Sequence, residues 1–263
     1  MTSTLAVQMY TLREFTRTRA GFVDSLAKVS AIGYRAIQIS AVGAMDGDQP
    51  EVSAREARAL LDEYGLCCAA THRNWDDLAH RTEAEIAFHA ILGCDYVAIG
   101  GIPGAYGERG ADGFARFAED AAPVIARLNA AGIRFGYHNH DHEFQRIGPG
   151  RRTLFDILID ADPGLTLEID VYWAVHAGVN PVRLFDRCNG RVPVIHVKDK
   201  EVVPKDGPVM AAVGEGNLDW DGILPACGAA GVEVYAVEQD ICRRDPFDCL
   251  RSSYEFLANR PGR

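Results

Sequence analysis

Five times along this chain a helix-like segment ends on a glycine and runs straight into a short apolar stretch: LAKVSAIGYRAIQIS, ARALLDEYGLCCAATH, IAFHAILGCDYVAIGG, VIARLNAAGIRFGYH and PACGAAGVEVYAVEQ. Gly33, Gly65, Gly93, Gly132 and Gly231 stand where a helix would close in the left-handed conformation, which a residue without Cβ reaches without a steric penalty. The stretches that follow are near-continuously apolar, the pattern of parallel strands covered on both faces. Adding LAVQMY, LTLEID and VPVIHVK gives eight candidate strands, at about 5–10, 35–40, 66–71, 95–100, 133–138, 165–170, 192–198 and 232–238, with helical patterns between most of them. That spacing predicts one (β/α)8 TIM barrel spanning residues 1–263 as a single domain. Helix starts are marked at Ser53-x-x-Glu56 and Thr82-x-x-Glu85, both with capping-box spacing. The competing open, doubly wound sheet would carry a G-x-G-x-x-G turn after its first strand; here TLREFTRT follows.

Charge and cysteine usage narrow the function classes. The formal net charge is −10, from 27 Lys and Arg against 37 Asp and Glu, a field that repels phosphate backbones and anionic membranes. Seven cysteines, odd in number and without a C-x-x-C pair, write neither a disulfide framework nor a zinc ribbon and fit a reducing cytoplasm. The start MTSTLAVQMY lacks the parts of a signal peptide, and no apolar run approaches the about 20 residues of a membrane span. The expectation is a cytoplasmic protein acting on a small molecule, with no nucleic acid or membrane as partner and free to assemble as a homo-oligomer.

In a (β/α)8 barrel the C-terminal ends of all strands meet on one face. Those ends supply Gln8, Gln38 with Ser40, Thr71 and His72, Gly100 and Gly101, His138 with Asn139 and His140, Glu168 and Asp170, His196 with Lys198, and Glu238 with Gln239. Strands five to eight thus bring His138, Asp170, His196 and Glu238 to one rim. Imidazole and carboxylate donors suit Mn²⁺, Mg²⁺, Co²⁺ or Zn²⁺, and a bound cation would let two neighbouring buried carboxylates stay ionised. Taken singly, a rim histidine is more often structural and Asp170 could simply cap the next helix; four at successive strand ends favour the metal. Gln8, His72, Trp173 and Lys198 are candidate substrate contacts, Lys198 because period-two alternation puts it on the face of His196. The same residues have plain structural readings: Lys198 as a snorkelling lysine, Trp173 as core, His72 as a loop anchor. The glycine-rich segment 101–114 reads as a surface loop placed to cover the site. His80 and His89 fall in helical patterns and carry no chemistry.

At LAVQMYTLRE, GYHNHDHEF, LEIDVYWAVHAGVNPV, VPVIHVKDK, VGEGNLDW and AVEQD, over nearly its whole length, the chain resembles the xylose-isomerase-like TIM-barrel superfamily. The similarity points to its sugar phosphate isomerases/epimerases, with inosose dehydratases and keto-sugar lyases as relatives. The resemblance implies one divalent ion, commonly Mn²⁺, held by Glu, Asp, His and Glu from strands five to eight. Asp170, His196 and Glu238 match the last three. His138 stands where ketose epimerases carry the first Glu, so the first ligand is His138 or Glu143 from the adjoining loop. Trp173 replaces a histidine that epimerases often place three residues after the Asp.

The implied chemistry is proton abstraction beside a carbonyl, with a metal stabilising the enediolate and Glu238 as base. The second acid/base falls to Glu143 or to an imidazole among His138, His140 and His142. Without one, elimination follows, as in a dehydratase or lyase on an inosose or 3-keto-glycoside. An endonuclease IV-type nuclease would need more metal ligands and a basic face, and a barrel that binds sugar without turnover is the remaining alternative.

Overall fold

The computed structural model describes residues 3–260. Eight parallel strands close into a barrel: β1 (Thr4–Gln8), β2 (Ala36–Ile39), β3 (Cys67–His72), β4 (Tyr96–Ile99), β5 (Arg134–His138), β6 (Leu165–Asp170), β7 (Val194–Val197) and, as the eighth, β10 (Val234–Val237). Between β7 and the helix Trp220–Ala229 the chain adds an antiparallel hairpin, β8 (Asp199–Val203) and β9 (Gly207–Ala211), that the reading above does not contain. The expected architecture is the observed one, and each strand lies within two residues of its predicted bounds.

Local signals act largely as read. Gly93 and Gly132 leave their helices with φ of 66° and 78°, and the Ser53 side chain accepts the Glu56 N–H at 3.2 Å. Only that half of the box forms, since the Glu56 carboxylate pairs with Arg19 at 2.6 Å, and the second capping box does not form. The helix Trp75–His80 ends with only Arg81 between it and Thr82, the Thr82 hydroxyl donates back to the Leu78 carbonyl at 2.6 Å, and Glu85 turns to a bidentate pair with Arg73. Segment 101–114 is not an irregular cover: it holds one helical turn, Gly104–Gly107, and the start of the long helix Gly110–Ala130.

Alternation along the strands separates two interiors. Outward residues such as Phe135, Leu167, Ile195 and Val237 pack with the surrounding helices into the main apolar core. Inward residues change character along the barrel axis. Toward the N-terminal end, Ala6, Ala36, Ala70, Ala98, Val194 and Val234 close around the buried ring of Tyr96, and Gly136 gives that ring its room, because a Cβ there would overlap the Tyr96 hydroxyl. Two residues further along the same inward faces stand Gln8, Gln38, His72, His138, Glu168 and His196, and four residues beyond Val234 stands Glu238.

The hairpin is tied to the rim by one carboxylate. Buried Asp199 accepts the N–H groups of Lys200, Gly214, Gly216 and Leu218 and the Trp220 indole N–H, at 2.7 to 3.2 Å. This accounts for the KDK and VGEGNLDW motifs, which fold onto one another and hold Met210 over the barrel mouth.

Candidate metal and substrate site

A cleft of about 560 Å³ opens at the C-terminal mouth, lined by residues from all sides of the barrel, His72, His138, Trp173, Lys198, Glu238 and Asp240 among them. A larger groove, about 650 Å³, lies on the flank beside Trp75 and Tyr106, but none of the ionisable groups at the strand ends faces it. The ionisable strand-end groups therefore gather at the mouth.

His138, Asp170, His196 and Glu238 each offer one donor atom, and these atoms all lie within 4.8 Å of one another. The β6–β7 register places Asp170 directly opposite His196. All four side chains are buried. Lys198 stands over them, its ammonium 3.0 Å from Asp170 Oδ2, 2.6 Å from Glu238 Oε2 and 3.1 Å from Asp240 Oδ2. Burial raises the Asp170 carboxyl to about 6 against the pull of Lys198 and His196. Burial also works against the Glu238 carboxylate, but Lys198 and His196 outweigh it and hold that group well below the usual range. Burial opposes the His196 imidazolium, yet Glu168 and Glu238 raise it to about 10.

Beneath this layer lies a second one. Glu168, fully buried and paired across the β5–β6 register with His138, accepts from His72 Nε2 and from the Gln38 amide at 3.0 Å. It also stands 2.9 Å from His196 Nε2 and 3.5 Å from His138 Nδ1. A carboxylate can only accept, so Gln38 must turn its NH₂ to Glu168 and its oxygen to His196, 2.8 Å away. That orientation puts a proton on His196 Nε2 and leaves Nδ1 facing Glu238 Oε2 at 2.7 Å and Asp170 Oδ2 at 3.9 Å. His138 is arranged alike, Nδ1 toward Glu168 and Nε2 toward Asp170. Both imidazoles thus present their outer nitrogens to the carboxylates of the upper layer; the inner nitrogen of His196 is held by Glu168 and Gln38, as ligating histidines are commonly supported, while His138 Nδ1, 3.5 Å from Glu168, makes no hydrogen bond.

The residues present fit a divalent cation. Asp170 Oδ2 is buried and, although close to the Lys198 ammonium, has no hydrogen-bond partner. The four carboxylates Glu168, Asp170, Glu238 and Asp240 face the ammonium of Lys198, and with His196 neutral, as a ligand must be, an excess of three negative charges remains. A dication held by His138, Asp170, His196 and Glu238 would offset most of it.

The remaining expected residues divide. His140 lines the cleft between His138 and Trp173, with ring centroids 5.0 and 5.6 Å away; burial and nearby Lys198 lower it to about 4. Trp173 lines the same wall with its indole N–H buried and without a partner, and Asp170 Oδ1 caps its helix by accepting the Trp173 backbone N–H. Asp170 therefore has the capping role as well as its place in the cluster.

Glu143 is neither a solvated loop carboxylate nor a member of the central group. It is fully buried, accepts from the Tyr137 hydroxyl and the His140 N–H at 2.8 Å each, and forms a separate cluster with His140 and His142. The tight turn after β5 aims it away from Asp170. Gln8 is buried too and does not line the cleft, because its side-chain oxygen caps the turn at Tyr10. The residues that sequence reasoning left without a role are Glu168, Gln38 and Asp240. Period-two steps from Asp170 and Glu238 reach Glu168 and Asp240.

Comparison with known proteins agrees with this geometry. The sequence profile described as xylose isomerase-like TIM barrel matches residues 26–257, from the first helix to the last. The chain belongs to this family. Among solved structures, a sugar phosphate isomerase/epimerase from Parabacteroides distasonis ATCC 8503 superposes with a TM-score of 0.80 at 20% identity, over 98% of this chain and 94% of that one. An L-ribulose 3-epimerase gives 0.71 at 14% identity, over 98% and 94%. The probable 3-DHS dehydratase AsbF from Bacillus anthracis gives 0.73 at 13% identity, over 98% and 99%. No curated protein matches the chain. At these identities the likeness is one of fold, and the family's barrel is seen with both epimerase and dehydratase chemistry.

Proposed function

We propose that the protein is a divalent-metal-dependent enzyme of small sugars that removes a proton from the carbon next to a carbonyl, as an isomerase or epimerase. The observation that carries the reading is Glu238: a carboxylate kept ionised by Lys198 and His196, facing the cleft and sharing one donor group with Asp170, His196 and His138. The bound ion, Mn²⁺ being favoured for a mixed imidazole and carboxylate set, supplies Lewis-acid stabilisation of charge developing on the substrate's oxygens. Glu238 takes the proton, and its contacts with His196 and Lys198 keep the carboxylate aimed and unprotonated until it does. His140, at the end of β5, is the cleft group placed to exchange a proton on another side of the substrate. Both oxygens of Glu143 are engaged in the loop, which favours elimination as the second reading: with no second carboxylate to return the proton, loss of a β-oxygen competes. Seven unpaired cysteines support a reducing compartment, and the acidic balance a small-molecule rather than a nucleic-acid partner.

The test is solvent deuterium incorporation at the carbon beside the carbonyl, across ketoses, inososes and 3-keto-glycosides, with the metal content of the protein measured alongside. About one ion per chain and exchange with the carbon skeleton retained are expected; loss of water or of an aglycone would select the second reading. Glu238→Gln should slow exchange by on the order of 10²- to 10⁴-fold. Exchange undiminished in Glu238→Gln, or unaffected by complete metal removal, overturns the proposal.

A further inference from the structure

We propose that the cleft accepts an uncharged sugar and discriminates against its phosphate ester, the polyhydroxy end of the ligand lying on the ionic floor and an apolar face lying against Trp173, Met210 and Ile241. This rests on reading the cleft as the sugar site, and adds to that reading the charge class of the ligand.

A phosphate monoester brings nearly two negative charges, and proteins hold it with free guanidinium or ammonium groups or with open helix N-termini. Among the described residues lining the cleft, Lys198 is the only lysine and there is no arginine. Lys198 is 1% exposed and is already shared by Asp170, Glu238 and Asp240. Two of those carboxylates, Glu238 and Asp240, themselves line the cleft, so a phosphate entering it would meet anions. Arg13, at the edge, is committed elsewhere: it donates to the backbone carbonyls of Tyr10 and Asp240, and its guanidinium lies 4.2 Å from the Tyr10 ring centroid. The end of β6 that opens into the helix Val171–His176 is closed to a second anion, because Asp170 occupies it. A divalent ion in the central group would be matched by the carboxylates that hold it and would leave the outer wall as it is.

Beside its histidines and ionic groups the lining has an apolar part. Trp173 and Met210 form part of the wall and Ile241, 70% exposed, stands at the mouth. Such a surface suits the C–H face of a sugar ring or an uncharged substituent on it, through stacking and burial of apolar area.

The experiment measures binding, not turnover, with reduced polyols that carry no carbonyl: xylitol and xylitol 5-phosphate, titrated calorimetrically into Mn²⁺-loaded protein freed of excess metal. Xylitol should bind at least about 10-fold more tightly than its phosphate, as like-charge contact predicts. Ile241→Arg, which adds a cation at the mouth, should narrow or invert the preference. Equal or tighter binding of the phosphate by the unaltered protein overturns the proposal, and so does failure of xylitol to bind. Because no chemistry is involved, retained preference together with absent proton exchange would sink the proposed reaction and leave this inference standing.

Discussion

The two halves of the barrel interior are built on the same strands and share almost nothing else. Toward the N-terminal end, alanine and valine from six strands pack around Tyr96, with no charge among them. One inward step later, about 7 Å along each strand, the same faces carry Glu168, His138 and His196, and beyond them Asp170, Lys198 and Glu238. The lower half is stabilised by packing, tight enough that a Cβ at Gly136 would overlap Tyr96. The upper half concentrates buried charge that hydrophobic burial elsewhere must offset, and it holds its groups in a fixed arrangement for chemistry. Function and stability are thereby separated along one axis, and each half can be perturbed while the other reports.

The largest expected effect comes from the upper half. Lys198→Met removes the ammonium shared by Asp170, Glu238 and Asp240 and leaves two carboxylates buried together with half-buried Asp240 beside them. Breaking a buried pair in this way costs about 3–5 kcal/mol, read as a lower urea midpoint of the metal-free protein at pH 7. Added Mn²⁺ should recover part of the loss, since it supplies positive charge to the same oxygens. A change under about 1 kcal/mol would mean that these carboxylates tolerate one another without a cation, and the contrast between the two halves would lose its electrostatic basis.

A smaller effect separates the two layers within the upper half. Glu168→Gln keeps the shape of the side chain but can donate as well as accept, so Gln38 is no longer compelled to turn its oxygen to His196. Metal affinity should fall about 10- to 100-fold, the usual consequence of losing a group that orients a ligating histidine. Nitrogen-15 shifts of the His196 ring in the metal-free protein should report a changed proton position. Unchanged affinity and unchanged shifts would reduce Glu168 to a space-filling role.

Much of this is written locally in the sequence, and the exceptions have physical causes. Helix-ending glycines followed by apolar runs are short-range signals, and they carry the barrel. The hairpin β8–β9 has its own signal in Asp206–Gly207, a dipeptide suited to tight turns, but its strands are short and half exposed and lack a continuous apolar run. Thr82 fails as a cap because the preceding helix ends against it, a contact that spacing alone does not contain. At the site, Asp170, His196 and Glu238 are legible because they end strands. Glu168 is hidden because a carboxylate one layer inside a barrel makes sense only once the imidazoles of β3, β5 and β7 surround it. Glu143 misleads for the converse reason: it neighbours the rim in sequence, while its partners, the Tyr137 hydroxyl and the His140 N–H, are set by the turn.

The lower half supplies the smallest and most selective perturbation. Gly136 faces Tyr96 across the barrel floor, and a methyl group there would overlap the phenol oxygen. Gly136→Ala should therefore destabilise the fold by about 1–3 kcal/mol through overpacking, seen in the urea midpoint. Combining it with Tyr96→Phe removes the oxygen nearest to the added carbon. The double variant should regain part of the loss, so the two substitutions are non-additive in the favourable direction. Metal affinity should stay within about twofold of the parent in both variants, because Gly136 lies one inward step below His138 and touches none of the ligand atoms. If the floor variant instead weakened metal binding as much as Glu168→Gln does, the two halves would be one mechanical unit, and the division of labour along the barrel axis would have to be abandoned.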